Sequence, residues 1–154
     1  MLKRILFCCY FSESSDRAFT YAFVLAKTFH AKLFILHVIR DLVYPEQLLL
    51  YLPPTKLEEL KASQKEEISQ EISIHYLQKM DEFLDYKILL RWGVDFREII
   101  LTAEKESVDV IVIGTRRRKR MADVVLGSTS EKVVKASPCP VLIVKPLEER
   151  FVIP

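Results

Sequence analysis

The chain has 154 residues, of which 50% are apolar and 29% are charged, and its formal net charge is +2. This length suits one domain, and this composition is typical of a folded globular protein rather than a disordered chain. The near balance of charge does not by itself favour a nucleic acid or a membrane surface as partner. Since no apolar run approaches the roughly 20 residues of a membrane span, we expect one domain over residues 1–154 and no membrane association.

The amino-terminal residues and the three cysteines bear on the compartment. Lys3 and Arg4 precede a short apolar run, but no small-residue cleavage site follows it, so a buried first strand is favoured over a signal peptide. Cys8 and Cys9 are neighbours that would point to opposite faces of a strand, so they are not expected to pair. Neither they nor Cys139 have metal-ligand spacing. We therefore expect reduced thiols in a cytoplasmic protein, without a metal site.

Five short segments are predicted to be strands, because each is nearly continuous in Val, Ile, Leu and Phe. Uninterrupted apolarity is typical of strands in a parallel sheet that is covered on both faces. In chain order the five segments are Ile5–Cys9, Lys32–Ile39, Tyr86–Trp92, Val108–Ile113 and Val141–Lys145.

Apolar residues at helical spacing fill the intervals between these strands. The first helix follows residues 12–15, where Ser14 or Ser15 can serve as its N-cap. Further helices are predicted at residues 55–83, 96–106 and 128–136. The side chains expected to be buried are Ala18, Ala22, Leu25 and Phe29 in the first helix, Ile99, Ile100 and Ala103 in the third, and Val133 and Val134 in the fourth.

This alternation of strand and helix predicts an α/β fold. Segments of these lengths join parallel strands through right-handed crossovers, which place helices on both faces of a single open sheet. The order of the strands cannot be read from periodicity. Asp41–Pro54 is the one long connection, and its apolar run at Leu48–Leu52 fits a short helix, a lid or a contact surface equally well.

Ligands in an open α/β sheet bind outside the carboxyl ends of the strands, where the strand order reverses. The residues predicted to lie at those ends are Tyr10–Ser12, His37–Ile39, Gly93–Asp95 and Gly114–Thr115. Strand-end side chains are therefore the first candidates for ligand contacts.

The loop after the fourth strand is the most informative of these ends. It begins at Gly114, continues through five adjacent cations at Arg116–Arg120 and ends at Gly127. Ser128, with Glu131 three residues later, matches a capping box at the start of a helix. A glycine turn beside the outward-pointing N–H groups of a helix N-terminus predicts an anion site.

Four stretches of the second half of the chain resemble the carboxyl-terminal signature of the universal stress protein family. They are Val110–Thr115, Leu126–Ser128, Glu131–Val134 and Ser137–Val144. Further matches lie at Ile5–Leu6, Phe11–Glu13, Leu36–Val38, and Gly93 with Glu98–Ile100, so the resemblance covers nearly the whole chain in the same order.

The resemblance implies a sheet in the order 3-2-1-4-5 and a homodimer formed through the last strand, Val141–Val144. It also implies ATP or another adenine nucleotide in the cleft between strands one and four. The family motif there is glycine, two residues, glycine, nine residues, glycine, and then serine or threonine. Gly114 takes the first place and Gly127 with Ser128 the last, whereas Arg117 replaces the second glycine.

The candidate ligand contacts combine the strand ends with this motif. They are Tyr10, Val38, Gly114, Thr115, Arg116, Arg117, Gly127, Ser128 and Thr129. Tyr10 stands where the family usually has an aspartate near the nucleoside, and it could stack on a purine or plug the pocket. Arg117 could grip phosphate with its charged fork in place of a backbone cradle.

Two functions therefore remain open. One is a stress-response protein that binds ATP or a related adenine nucleotide and acts by sensing or through partner contacts. The other is a ligand-free dimeric interaction scaffold with a degenerate cleft. The basic run Arg116–Arg120 fits a solvated loop or a phosphate clamp better than nucleic-acid contact, because no aromatic residues alternate with the cations for base stacking.

The sequence does not favour an enzyme. It has no nucleophile elbow, no lysine-bearing phosphate loop, no metal triad and no paired carboxylates at strand ends. His37 has apolar neighbours and is interpreted as a buried imidazole with its hydrogen bonds satisfied. Trp92 is interpreted as a core residue rather than a ligand platform.

Overall fold

A computed structural model describes residues 1–40, 46–82, 85–115 and 126–146. Within these ranges the strands form one parallel sheet in the order β3-β2-β1-β4-β5, which confirms the predicted fold class and strand order. β1 pairs on one side with β2, Ile5 opposite Leu33, and on the other with β4, Ile5 opposite Val110. The strands are β1 (Arg4–Cys8), β2 (Lys32–Ile39), β3 (Tyr86–Trp92), β4 (Val110–Gly114) and β5 (Val141–Val144).

The helices of the described ranges are α1 (Glu13–Phe29), α2 (Glu46–Leu49), α3 (Pro54–His75), α4 (Asp95–Lys105) and α5 (Ser128–Ala136). α3 ends before the predicted Phe83, because Tyr76 turns into the core against Phe7 and a 3₁₀ turn at Leu77–Lys79 follows. α2 lies in the long connection, which therefore contains a short helix. Residues 41–45 of that connection lie outside the described residues.

Two apolar clusters cover the two faces of the sheet. Ile5, Phe7 and Cys9 pack with α1 and α3 on one face, whereas Leu6 and Cys8 pack with α4 and α5 on the other. The adjacent cysteines therefore point to opposite faces, as expected, and Cys8, Cys9 and Cys139 are all free thiols. Burial raises the pKa of Cys8 and raises that of Cys9 to about 12, so both thiols stay protonated and unreactive.

Several predicted side-chain positions were wrong. Ser12, not Ser14 or Ser15, caps α1 by accepting a hydrogen bond from the Ser15 N–H at 3.2 Å. Phe29 is exposed at the last turn of α1. Val134 is 47% exposed while Val133 is fully buried, since successive helical residues point about 100° apart.

The start of α5 and the edge of the sheet also differ from expectation. Gly127, with φ −58° and ψ 152°, is the N-cap of α5, so Ser128 is the first helical residue and not the cap of a capping box. Trp92 is half-buried near the end of β3, an edge strand, with Lys61 Nζ 5.9 Å from its ring centroid. It is therefore neither a fully buried core residue nor a residue of the cleft described below.

Gly114 lies where the end of β4 meets the first turn of α1. A Cβ atom at this position would come within 2.6 Å of the Ser14 carbonyl carbon and oxygen and 2.8 Å of the Ser15 nitrogen. The Ser14 hydroxyl donates a hydrogen bond to the Thr115 carbonyl at the same junction. Only a residue without a side chain lets the strand and the helix approach so closely.

We predict that Gly114→Ala destabilises the fold by about 1–3 kcal/mol, the usual cost of overpacking a well-packed interior. Urea unfolding followed by circular dichroism would measure it. Adding Ser14→Ala should not restore stability, because the added Cβ clashes with backbone atoms rather than with the serine hydroxyl. An unchanged unfolding midpoint in Gly114→Ala would show that the junction can open without cost.

Candidate functional site

Two adjoining cavities lie at the carboxyl ends of β1, β2 and β4, beside the amino ends of α4 and α5. The small chamber has a volume of about 100 Å³ and is lined by Tyr10, Arg40, Ile113, Gly114 and residues 127–130. The large chamber has a volume of about 510 Å³ and is lined by Arg40, residues 93–96, Ser128, Thr129 and Lys132. Because Arg40, Ser128 and Thr129 line both chambers, the two form one cleft.

The structure brings five of the predicted contact residues together around this cleft, namely Tyr10, Gly114, Gly127, Ser128 and Thr129. Two others lie elsewhere. Val38 is buried in the core beneath α4 and α5, and Thr115 is buried with its carbonyl bonded to Ser14. Arg116 and Arg117 lie outside the described residues, so their predicted roles stay predictions.

Three charged residues that line the described part of the cleft are absent from the predicted contact residues, although Asp95 was placed at a strand end. Arg40 is the first residue after β2, Asp95 begins α4, and Lys132 lies one turn into α5. A signal for the first two was present at the ligand edge of the sheet, because Arg40 directly follows the predicted strand Lys32–Ile39 and Asp95 belongs to the strand-end segment Gly93–Asp95. Lys132 could have been found as the residue that follows Ser128 by one helical turn.

Arg40 and Asp95 form a bidentate ion pair. Arg40 Nε donates to Asp95 Oδ1 at 3.0 Å, and Arg40 Nη2 donates to Asp95 Oδ2. The Asp95 side chain is only 3% exposed, whereas that of Arg40 is 56% exposed. A buried carboxylate needs a paired charge, and two parallel hydrogen bonds fix the plane of the guanidinium. The pair therefore holds Arg40 in place at the junction of the chambers.

Among the described lining residues, the other positive groups of the cleft belong to α5. Gly127 has no side chain to accept from the N–H groups of the first turn, so these donors and the positive end of the helix dipole face the cleft beside Ser128 and Thr129. Lys132 Nζ lies 5.0 Å from the centroid of the Phe96 ring, a cation–π contact at the wall of the large chamber. Together these groups favour an anionic ligand.

The wall contributed by the β1–α1 turn is held by local hydrogen bonds and ring contacts. The Tyr10 N–H donates to Ser15 Oγ at 2.9 Å. Phe11 has the left-handed φ of 52°, and its ring lies 5.1 Å from the His37 ring and 5.6 Å from the His75 ring. The left-handed conformation costs roughly 1–2 kcal/mol, which these ring contacts offset.

His37 supports this turn from below and does not line either chamber. Its Nδ1 donates to the Cys9 carbonyl at 2.9 Å, so the imidazole is hydrogen-bonded as expected, but it is half-buried rather than buried. Burial lowers its pKa, so the ring is neutral near pH 7.

We find no group of three His, Cys, Asp or Glu side chains arranged to hold a metal ion within the described ranges. Over the same residues, no helix is both long enough and apolar enough to cross a bilayer.

We predict that His37 makes stability fall with acid. In the unfolded chain the pKa of His37 is about 6.5, and in the folded protein it is lower, so the unfolded chain binds the proton first as the pH falls. The free energy of unfolding therefore decreases as the pH falls below about 6.5. His37→Asn keeps an N–H donor toward Cys9 but cannot titrate. Its free energy of unfolding should therefore vary less between pH 7 and 5 than that of the wild type, by at most about 1.4 kcal/mol per pH unit. Parallel pH profiles from urea unfolding would contradict this role.

The comparisons with known proteins agree with this architecture. A family model described as the universal stress protein family matches residues 1–145. Universal stress protein MJ0577 of Methanocaldococcus jannaschii is 29% identical over 155 residues, covering 94% of this chain and 96% of its own. Universal stress protein YxiE of Bacillus subtilis is 30% identical over 148 residues, covering 94% of this chain and 100% of its own.

Solved structures give the same result. That of MJ0577 superposes with a TM-score of 0.75 at 28% identity, covering 97% of this chain and 99% of its own. Two less similar structures share the fold. A universal stress protein in complex with cAMP superposes with a TM-score of 0.60 at 21% identity, covering 94% of this chain and 98% of its own. The universal stress protein from Archaeoglobus fulgidus in complex with dAMP superposes with a TM-score of 0.63 at 18% identity, covering 94% of this chain and 100% of its own. The family model spans nearly the whole chain, and YxiE, at 30% identity, aligns with 94% of this chain over the whole of its own length. The chain therefore belongs to the universal stress protein family.

Proposed function

We propose that this chain binds ATP or a related adenine nucleotide in the cleft and acts in the stress response by sensing or through partner contacts. The observation that carries the proposal is the large chamber. Its volume of about 510 Å³ falls within the range of small-molecule sites, and it opens onto the amino end of α5 at the place where the strand order reverses. The cAMP and dAMP complexes of proteins with this fold support an adenine nucleotide as the ligand class.

The two chambers suit different parts of a nucleotide. The large chamber has room for a nucleoside, whereas the small chamber, at about 100 Å³, has room for little more than a phosphate group. In this arrangement the phosphates accept hydrogen bonds from the N–H groups of α5 and from Ser128 and Thr129. Tyr10 offers the ligand an aromatic ring where the family's aspartate would offer a carboxylate.

We predict that affinity ranks ATP above ADP above adenosine and weakens as salt rises, because each phosphate adds charge that exposed cations attract.

Gly127→Val should weaken ATP binding by about tenfold or more, the effect of losing a charged hydrogen bond. The φ of −58° at Gly127 is open to any residue, so valine should fold normally and act by blocking approach to the helix end. Calorimetric titration would measure the ligand ranking, the salt dependence and the effect of this variant. If Gly127→Val bound ATP as tightly as the wild type, the phosphate site would not lie at the amino end of α5.

The ligand-free scaffold is the second candidate. Gly114 is required by its contact with Ser14 and Ser15, so this part of the glycine motif needs no nucleotide to explain it. Leu50 and Tyr51, after α2, are 83% and 87% exposed, as a contact surface would be. Mass spectrometry of small molecules released from freshly purified protein separates the candidates. No released nucleotide, together with no calorimetric response to ATP, would favour the scaffold.

We also propose that the protein is a cytoplasmic homodimer paired through β5. This strand is an edge of the sheet, so its outer N–H and C=O groups need a partner or water. Val141, Leu142 and Ile143 are half-buried in the single chain, which leaves apolar surface for a second copy.

We predict that Leu142→Lys yields monomers in sedimentation velocity, because a paired β5 would have to bury the new cation. Val144 is a poorer choice for this test, since it is buried in the core of the chain itself. Val134→Lys is the matched control, as Val134 is an exposed apolar residue of α5 outside the strand. A dimer that persists in Leu142→Lys while circular dichroism stays native would remove β5 from the interface.

A further inference from the structure

Arg40 lies where the small chamber and the large chamber of the cleft meet. Among the described lining residues it is the cation shared by the small and the large chamber. Ser128 and Thr129, at the amino end of α5, are the other residues shared by both chambers. A ligand that extends from one chamber into the other must therefore pass between Arg40 and the start of α5.

The Arg40 guanidinium is held at this point by Asp95, which lies on its buried side. Asp95 is almost fully buried and belongs to the first turn of α4, while Arg40 projects from the end of β2. A guanidinium has five N–H donors in a fixed fork, so it can bond to Asp95 and to a phosphate at the same time. Because the pair is neutral as a whole, its attraction for an anion depends on short hydrogen bonds in the right geometry rather than on long-range charge.

We propose that Arg40 binds a phosphate group of the ligand and that Asp95 is the positioning residue that holds it there. The proposal rests on the proposed nucleotide function and assigns to that site a specificity-determining side chain. Across the junction, α5 supplies N–H and hydroxyl donors to the same group, so the phosphate is bound from both sides. The site thereby selects phosphorylated nucleosides over free nucleosides.

The test compares AMP with adenosine by calorimetric titration. Arg40→Gln alone leaves a buried carboxylate without its cation and can unfold, so the double variant Arg40→Gln with Asp95→Asn is titrated beside it. In both, AMP affinity should fall by about 10- to 100-fold, the effect of losing a charged hydrogen bond, while adenosine affinity changes little. Lys135→Gln, which removes a cation of α5 paired with Glu131 on the surface, is the control for net charge and should bind AMP as the wild type does.

Asp95→Asn alone distinguishes positioning from simple neutralisation. If Asp95 only neutralised Arg40, removing its charge would tighten AMP binding, because less negative charge would face the phosphate. If Asp95 positions the Arg40 guanidinium, AMP binding weakens in Asp95→Asn. The double variant then binds AMP as Arg40→Gln alone does, because Asp95 acts only through Arg40. Thermal unfolding of every variant shows whether the fold is retained. Tighter AMP binding by a folded Asp95→Asn would overturn the positioning role.

The outcomes separate this inference from the function on which it rests. If the wild type binds AMP and the folded double variant binds it equally well, Arg40 is not the phosphate residue, although the nucleotide function stands. Equal losses for AMP and adenosine would also overturn the inference, since Arg40 would then contact the nucleoside or shape the chamber. If the wild type binds neither AMP, ATP nor adenosine, the nucleotide function and this inference fall together.

Discussion

The close approach of β4 to the first turn of α1 sets the geometry on which the cleft depends. Gly114 permits it, because any side chain there would clash with the backbone of Ser14 and Ser15. The two serines then bond in opposite directions, Ser14 to the Thr115 carbonyl and Ser15 to the Tyr10 N–H. One helical turn thus joins the end of β1 to the end of β4, the two strands between which the order of the sheet reverses.

The strands and the fold class could be predicted because buried parallel strands leave a nearly continuous apolar signal. The order of the strands needed the family resemblance, since periodicity contains no information about which strands are neighbours. The helix ends were less predictable. Three serines precede or begin α1. Ser12 caps it, whereas the Ser14 hydroxyl bonds to the Thr115 carbonyl and the Ser15 hydroxyl lies 3.4 Å from that of Tyr76, long-range contacts that no local pattern reveals.

The candidate site was predictable to the extent that it follows the strand ends and the glycine motif. Those signals led to Tyr10, Gly114 and Gly127, which the fold brings to one cleft. The ion pair between Arg40 and Asp95 could not be anticipated, since it joins residues 55 positions apart and forms only when β2 and α4 meet. Burial is the physical reason for the pair, and burial at a loop-to-helix junction has no periodic signature.

The hydrogen bond from the Tyr76 hydroxyl to Asp16 Oδ1, at 2.9 Å, has a consequence for how α1 opens. Helices usually fray at both ends, because their terminal turns have few tertiary contacts. Here the amino-terminal turn is bonded to the residue after β4, to the β1–α1 turn and to Tyr76 after α3, whereas Phe29 in the last turn and His30, the C-cap, are exposed. We therefore expect local opening of α1 to start at its carboxyl end, because opening of the turn beside the cleft would first have to break these contacts with β4, with the β1–α1 turn and with Tyr76.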